Sequence, residues 1–196
     1  MTETDRQARF RREPARRVFA AELRESRLQF KDGNDEKSPS FVLLPTGDRS
    51  NRIFLVGKMT QKDKKGDQNV FFTIRVEDTT GTFFVNAGSY QDEAMRQIRQ
   101  IEPGGYVAVV GKPTVRTTPD GSVFVSVRAE SVTPVDEETF RIWTLDTAEQ
   151  TLGRLDRFGE TEDSVKAREF YTTDTRKYRQ IVYCLLYTSD AADEED

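Results

Sequence analysis

The stretch VFFTIRVED, residues 70–78, sorts its side chains by chemistry. Successive residues of a strand face opposite sides, so Phe72, Ile74 and Val76 form an apolar set for a core. Phe71, Thr73 and Arg75 form the other set and face solvent. In TFFVNAG, residues 82–88, Phe83 and Val85 read as inward, which leaves Phe84 and Asn86 on the face with Phe71. Cations surround that face. Lys58, Lys62, Lys64 and Lys65 fall on or before the loop preceding it, while Lys112, Arg116 and Arg128 flank the turn Pro119-Asp120-Gly121. Rings that stack on unpaired bases, together with ammonium and guanidinium groups that meet phosphates, are what a single-stranded nucleic acid requires. Binding of this kind weakens with salt. Each feature alone has a plainer reading. A Phe on a strand is commonly core, and a KxKK run is commonly a solvated loop, diluted here by Asp63 and Asp67. Their joint position on one face is what points to a binding surface.

Catalysis finds no support. The chain has no histidine and one cysteine, so it lacks an imidazole base, a Ser-His or Cys-His nucleophile pair, and a His- or Cys-cluster metal site. Asp136-Glu137-Glu138 reads as a helix start rather than an acid/base pair. GKPT, residues 111–114, lacks the upstream glycine of a phosphate-binding loop. No catalytic residue, cofactor, metal or small-molecule substrate is therefore expected. The 196 residues carry 30 Lys+Arg against 34 Asp+Glu, a net charge of -4. No run approaches the ~20 apolar residues of a membrane span, and MTETDRQARFRREP lacks the apolar segment of a secretory signal. A soluble, cytoplasmic protein is expected.

The elements that must hold the face follow from periodicity. Residues 1–40 read as a basic, helical N-terminal extension and a linker. Pro14 suits a first helical turn, a helix over 14–28 carries Val18, Phe19 and Leu23, and KDGNDEKSPS is the polar linker. Arg6, Arg9, Arg11 and Arg12 crowd its start, as an arm on nucleic acid or as a solvated face. Residues 41–135 then read as strands, with Gly57 at a bend or bulge. Five strands are expected, with one helix, YQDEAMRQIRQI (90–101), between the third and fourth. That order predicts a mainly β fold with flanking helices, whose centre is a five-stranded OB-fold Greek-key barrel. An SH3-like barrel competes, but it seldom carries a full helix there. OB-folds bind oligonucleotides across strands two and three and the loops beside them, which is where the face above falls. Whether the flanking helices leave that face open is not legible in the sequence. Residues 136–183 read as a helical C-terminal extension, with Asp136 as a cap.

The last thirteen residues, CLLYTSDAADEED, resemble the translation of a transposon-type sequencing adapter. Residues 184–196 are accordingly read as foreign sequence, and the natural extension as truncated near Tyr183. That tail contains the one cysteine and five carboxylates, so without it the charge balance is near neutral.

RRVFAAEL (16–23), FVLLPTG (41–47), DTTGTFFVNAGSYQDEA (78–94) and YVAVVGKP (106–113) together resemble the archaeal replication protein A-associated proteins. SVRAESVTPVDE (126–137) and the helix holding Trp143 look similar too. The resemblance implies an OB-fold protein of euryarchaea. It further implies a non-catalytic accessory role in single-stranded DNA binding, in DNA replication and repair, with a replication protein A subunit as partner. It brings no set of binding residues with it. Two alternatives share the barrel: a protein-interaction module that docks such a subunit without touching DNA, and an RNA-binding OB domain.

Overall fold

The structure, a computed structural model, describes residues 13–33 and 38–192. The arginines at 6, 9, 11 and 12 lie outside the described residues. Five long strands close a barrel: β5 (Ile53–Lys65), β6 (Phe71–Asp78), β7 (Gly81–Ala87), β8 (Tyr106–Thr117) and β9 (Val123–Val135). β5, β6 and β7 form an antiparallel meander, and β9 pairs antiparallel with β8. Closure comes from β8 on β5 and from a short parallel pairing of β7 with β9, where Val85 meets Val127 and Asn86 meets Arg128. A short strand β1 (Arg16–Arg17) adds in parallel to β5. The expected helix between the third and fourth barrel strands is α2 (Asp92–Gln100).

Alternation inside the strands builds the core. Leu55, Met59, Ile74, Val76, Phe83, Val85, Val107, Val109 and Val127 all point inward and are buried. Ala94, Met95 and Ile98 of α2 close one end of the barrel against them. Burying each large aliphatic side chain contributes about 1.5–3 kcal/mol. Two glycines permit the tight curvature. A Cβ at Gly57 would collide with the Glu77 carbonyl, and one at Gly111 with that of Arg128. The registers slip next to both, between Met59 and Gln61 and between Val110 and Gly111.

The N-terminal segment differs from the expected long helix. Only α1 (Ala20–Glu25) is helical, and β1 precedes it. After it, β2 (Leu28–Lys31) pairs antiparallel with β3 (Ser40–Leu43), which pairs with β4 (Arg49–Ser50). Leu28-Gln29-Phe30-Lys31 alternates apolar and polar, a period of two that suits a strand rather than a helix. The polar stretch read as a linker therefore joins two strands of one sheet. Asp78, in the DTTG turn, caps α1 from the barrel: its carboxylate accepts from Ala20 N at 2.8 Å and from Thr80 N and Gly81 N.

The C-terminal extension is helical as expected: α3 (Glu137–Asp156), α4 (Glu162–Tyr171) and α5 (Thr175–Ala192). Asp136 caps α3 by accepting from Thr139 N at 2.8 Å. Trp143 anchors α3 to the barrel, its indole N–H donating to the Phe54 carbonyl at 3.1 Å and its ring meeting Phe19 edge-on. Of the apolar residues Tyr178, Ile181 and Val182 at helical spacing in α5, Tyr178 and Val182 are buried and Ile181 is partly buried. The helix continues without a break beyond residue 184, with Leu185 and Leu186 packed against the core. Among the described residues, no helix is long and apolar enough to cross a membrane.

Candidate nucleic-acid interface

The outer face of the barrel can be read from register. Thr73 of β6 sits opposite Asn86 of β7, and Asn86 sits beside Arg128 of β9. Across β9 and β8, Arg128 faces Lys112, Ser126 faces Thr114, and Phe124 faces Arg116. Stepping by two along each strand therefore gathers Phe71, Thr73, Asn86, Phe124, Ser126, Arg128, Thr114 and Arg116 on one surface. They line a cleft of about 760 Å³. Its walls are two hairpins: β5–β6, which brings Lys65, and β8–β9, which brings Arg116, Thr118 and Phe124.

Phe71 is 40% exposed and Phe124 58%. Such rings are large apolar areas left in water, which the fold alone does not need. Lys65, Arg116 and Arg128 have no ion-pair partner among the described residues, and no carboxylate lines the cleft. The Asn86 amide donates to Ser126 Oγ at 3.2 Å, which holds one polar group in place on the cleft floor. Asp120, at the tip of the β8–β9 hairpin, is turned onto its own loop. Hydrogen bonds from the Thr118 hydroxyl and then from Ser122 hold its carboxyl below the ordinary range. Neither α1 nor α3 contributes to the cleft, so the flanking helices leave it open.

Among the expected site residues, Lys65, Phe71, Thr73, Asn86, Arg116 and Arg128 come together in this cleft. Arg75 and Phe84 share the same face but lie beyond it, paired with each other, the guanidinium 5.7 Å from the ring centroid. The lysines divide. β5 runs to Lys65, so Lys62 and Lys64 are strand residues rather than loop residues, and alternation sends them away from Lys65. Lys62 donates to the Ile101 carbonyl at 2.7 Å and pairs with Glu102, tying down the end of α2. Lys64 is exposed at the register position of Phe72, and Lys58 is exposed opposite Glu77, far along the strand from the cleft. Phe124, Ser126 and Thr114 were not anticipated. The signal was available, since counting back by two from Arg128 reaches Ser126 and Phe124.

No protein-family model matches the chain, and no curated protein matches it. Solved structures do. A chain of the S. pombe Stn1–Ten1 complex superposes with a TM-score of 0.55 at 15% identity, covering 74% of this chain and 96% of that one. A chain of a replication protein A heterotrimer bound to ssDNA gives 0.50 at 17% identity, covering 72% and 98%. The barrel is an OB-fold. In that fold the meander of β5, β6 and β7 supplies strands one to three, β8 and β9 supply strands four and five, and α2 fills the expected place between them. The cleft thus occupies strands two and three of the OB-fold together with both of its flanking hairpins.

Proposed function

We propose that this OB-fold protein is a non-catalytic binder of single-stranded DNA, acting with a replication protein A-type partner in DNA replication and repair. The observation that carries the reading is the open cleft that combines exposed Phe71 and Phe124 with Lys65, Arg116 and Arg128, and that among the described residues has no carboxylate in its lining and no ion-pair partner for these cations. A single strand has both things such a cleft recognises: bases with free faces and a regular line of phosphates. A duplex hides the base faces, so the two rings would have nothing to stack on. The shared fold with a chain of a heterotrimer bound to ssDNA supports the same reading. So does the resemblance of residues 16–182 to the archaeal replication protein A-associated proteins, which also suggests a cytoplasmic, archaeal setting.

A second role is compatible with the first. Ile142 and Leu145 of α3 are exposed on the side turned away from the barrel, and they offer an apolar patch on which a replication protein A subunit would dock. An RNA ligand would use the same cleft and differ by contacts to the 2′-hydroxyl. Fluorescence-anisotropy titrations with single-stranded DNA, single-stranded RNA and duplex DNA at two salt concentrations test the assignment. The expected result is preference for single-stranded DNA with affinity that falls as salt rises. No binding by the chain alone, with co-purification of a partner, would leave only the docking role.

A further inference from the structure

A second cleft, of about 550 Å³, opens beside the first. It lies between the start of α2 and the outer face of β8 and β9, and it shares Gln91 and Arg128 with the main cleft. Tyr90 stands at its edge with its side chain 96% exposed. Among the described residues the ring has no hydrogen bond or ring contact. The turn that carries it is nonetheless pinned. Gly88 N donates to the Gln91 side chain at 3.0 Å, and Gln91 N donates to the Gly88 carbonyl at 2.9 Å. The turn fixes where the Tyr90 ring is presented, and a ring left in water at a cleft edge is available to stack on a base.

The charges of this second cleft are arranged to match. Lys112 and Arg128 sit opposite one another in the β8–β9 ladder, and neither has an ion-pair partner among the described residues. Of the nearby carboxylates, Glu130 is engaged by Arg52 and Glu93 by Arg96. Asp92, in the first turn of α2, is the one carboxylate of the lining without such a cation. Arg128 belongs to both clefts, so a phosphate held there lies between a base in the first and a base in the second.

Building on the reading of the main cleft as a single-strand groove, we propose that the second cleft is a further nucleotide subsite. Tyr90 stacks the base, and Lys112 with Arg128 holds the phosphate that links it to the groove. The strand therefore leaves the barrel over β9 towards α2, and the footprint is longer than the main cleft alone provides. Aromatic side chains contribute to single-strand affinity base by base, so the subsite is filled only when the oligonucleotide is long enough to reach it.

The test uses the intact chain and fluorescein-labelled oligothymidylates of about 4 to about 12 nucleotides, with affinity read by anisotropy. Tyr90→Ala is expected to leave the shortest oligonucleotides unaffected and to weaken the longest roughly tenfold. Asp92→Asn is expected to tighten the longest alone, since it removes a like charge from the phosphate path. Phe124→Ala is expected to weaken every length. Three results would overturn the subsite. In one, Tyr90→Ala and Lys112→Gln change nothing at any length while Phe124→Ala still weakens all, and the main groove survives. In another, Tyr90→Ala weakens every length equally, which denies a separate site. In the last, Phe124→Ala is also silent, so the groove fails and the subsite fails with it.

Discussion

Arg154 of α3 lies buried against α1 and the turn after β3, and its donors are in use. Nε donates to Thr46 Oγ1 at 3.0 Å, Nη1 to the Arg17 carbonyl, and Nη2 to Glu22 at 2.9 Å and to Thr151 Oγ1 at 3.0 Å. Glu22 also accepts from the Thr46 hydroxyl. Arg128, on the outer face of β9, is exposed and pairs with no carboxylate among the described residues. The same side chain thus serves two ends. Where the surroundings are dry, charge must be matched donor by donor, because an unmatched buried ion is strongly destabilising. Where the surroundings are wet, an unmatched guanidinium costs little and keeps its donors for a ligand that brings its own negative charge. The back of the molecule, where α1 and α3 meet the small sheet, is a structural device; the cleft is a receptive one.

The sharpest way to break that contrast is to exchange the consequences. Arg154→Met leaves Glu22 buried without its cation and is expected to cost about 3–5 kcal/mol of stability. The loss reads as a lower urea midpoint at unchanged slope. Where the fold persists, oligonucleotide affinity stays at the wild-type value. The double variant Glu22→Gln with Arg154→Met recovers part of the loss. A lowered affinity in a folded Arg154→Met protein would show that the two regions are not separate.

On the cleft side the expected pattern reverses. Phe71→Ala with Phe124→Ala is expected to lower single-strand affinity by about 1–3 kcal/mol per ring while the urea midpoint barely moves. Phe124 is more than half exposed and Phe71 40% exposed, so less packing is lost than for a core ring. A smaller and more selective effect belongs to the lysines. Lys65→Gln should reduce the slope of log affinity against log salt by about 0.7, whereas Lys64→Gln, one residue away on the opposite side of the hairpin, should not change it. Smallest of all is Lys62→Gln, which removes an ion pair worth up to about 1 kcal/mol and leaves the salt slope intact. If Lys64 and Lys65 behaved alike, strand alternation would not be what selects the binding residues.

The cleft side of this contrast is legible in the sequence, and the failures are instructive. The barrel order, the helix between strands three and four, and the inward set Phe72, Ile74 and Val76 all follow from period-two alternation, and the structure has them. The face carrying Phe71, Thr73 and Asn86 followed from the same rule. The lysine run was misplaced because a polar, charged stretch looks like a loop, whereas β5 extends as a 13-residue strand through Lys65. Its last residues stay extended because β6 continues to pair with them. The N-terminal segment misled for the converse reason. Val18, Phe19 and Leu23 suggested one long helical stripe, but β1 and β2 draw the flanking residues into tertiary pairings that local pattern cannot announce. The Glu22–Arg154 pair was invisible, since its partners are separated by 132 positions and only the fold brings them together.

The central claim is that unpaired cations of the open cleft meet the phosphates of a single strand. Its most direct test is the salt dependence of oligothymidylate binding by the wild-type chain and by the variant carrying both Arg116→Gln and Arg128→Gln. Each lost phosphate contact should flatten the slope by about 0.7, so the variant is predicted to be shallower by about 1.4, with an unchanged urea midpoint. Equal slopes for the two proteins, at measurable affinity, would contradict the account.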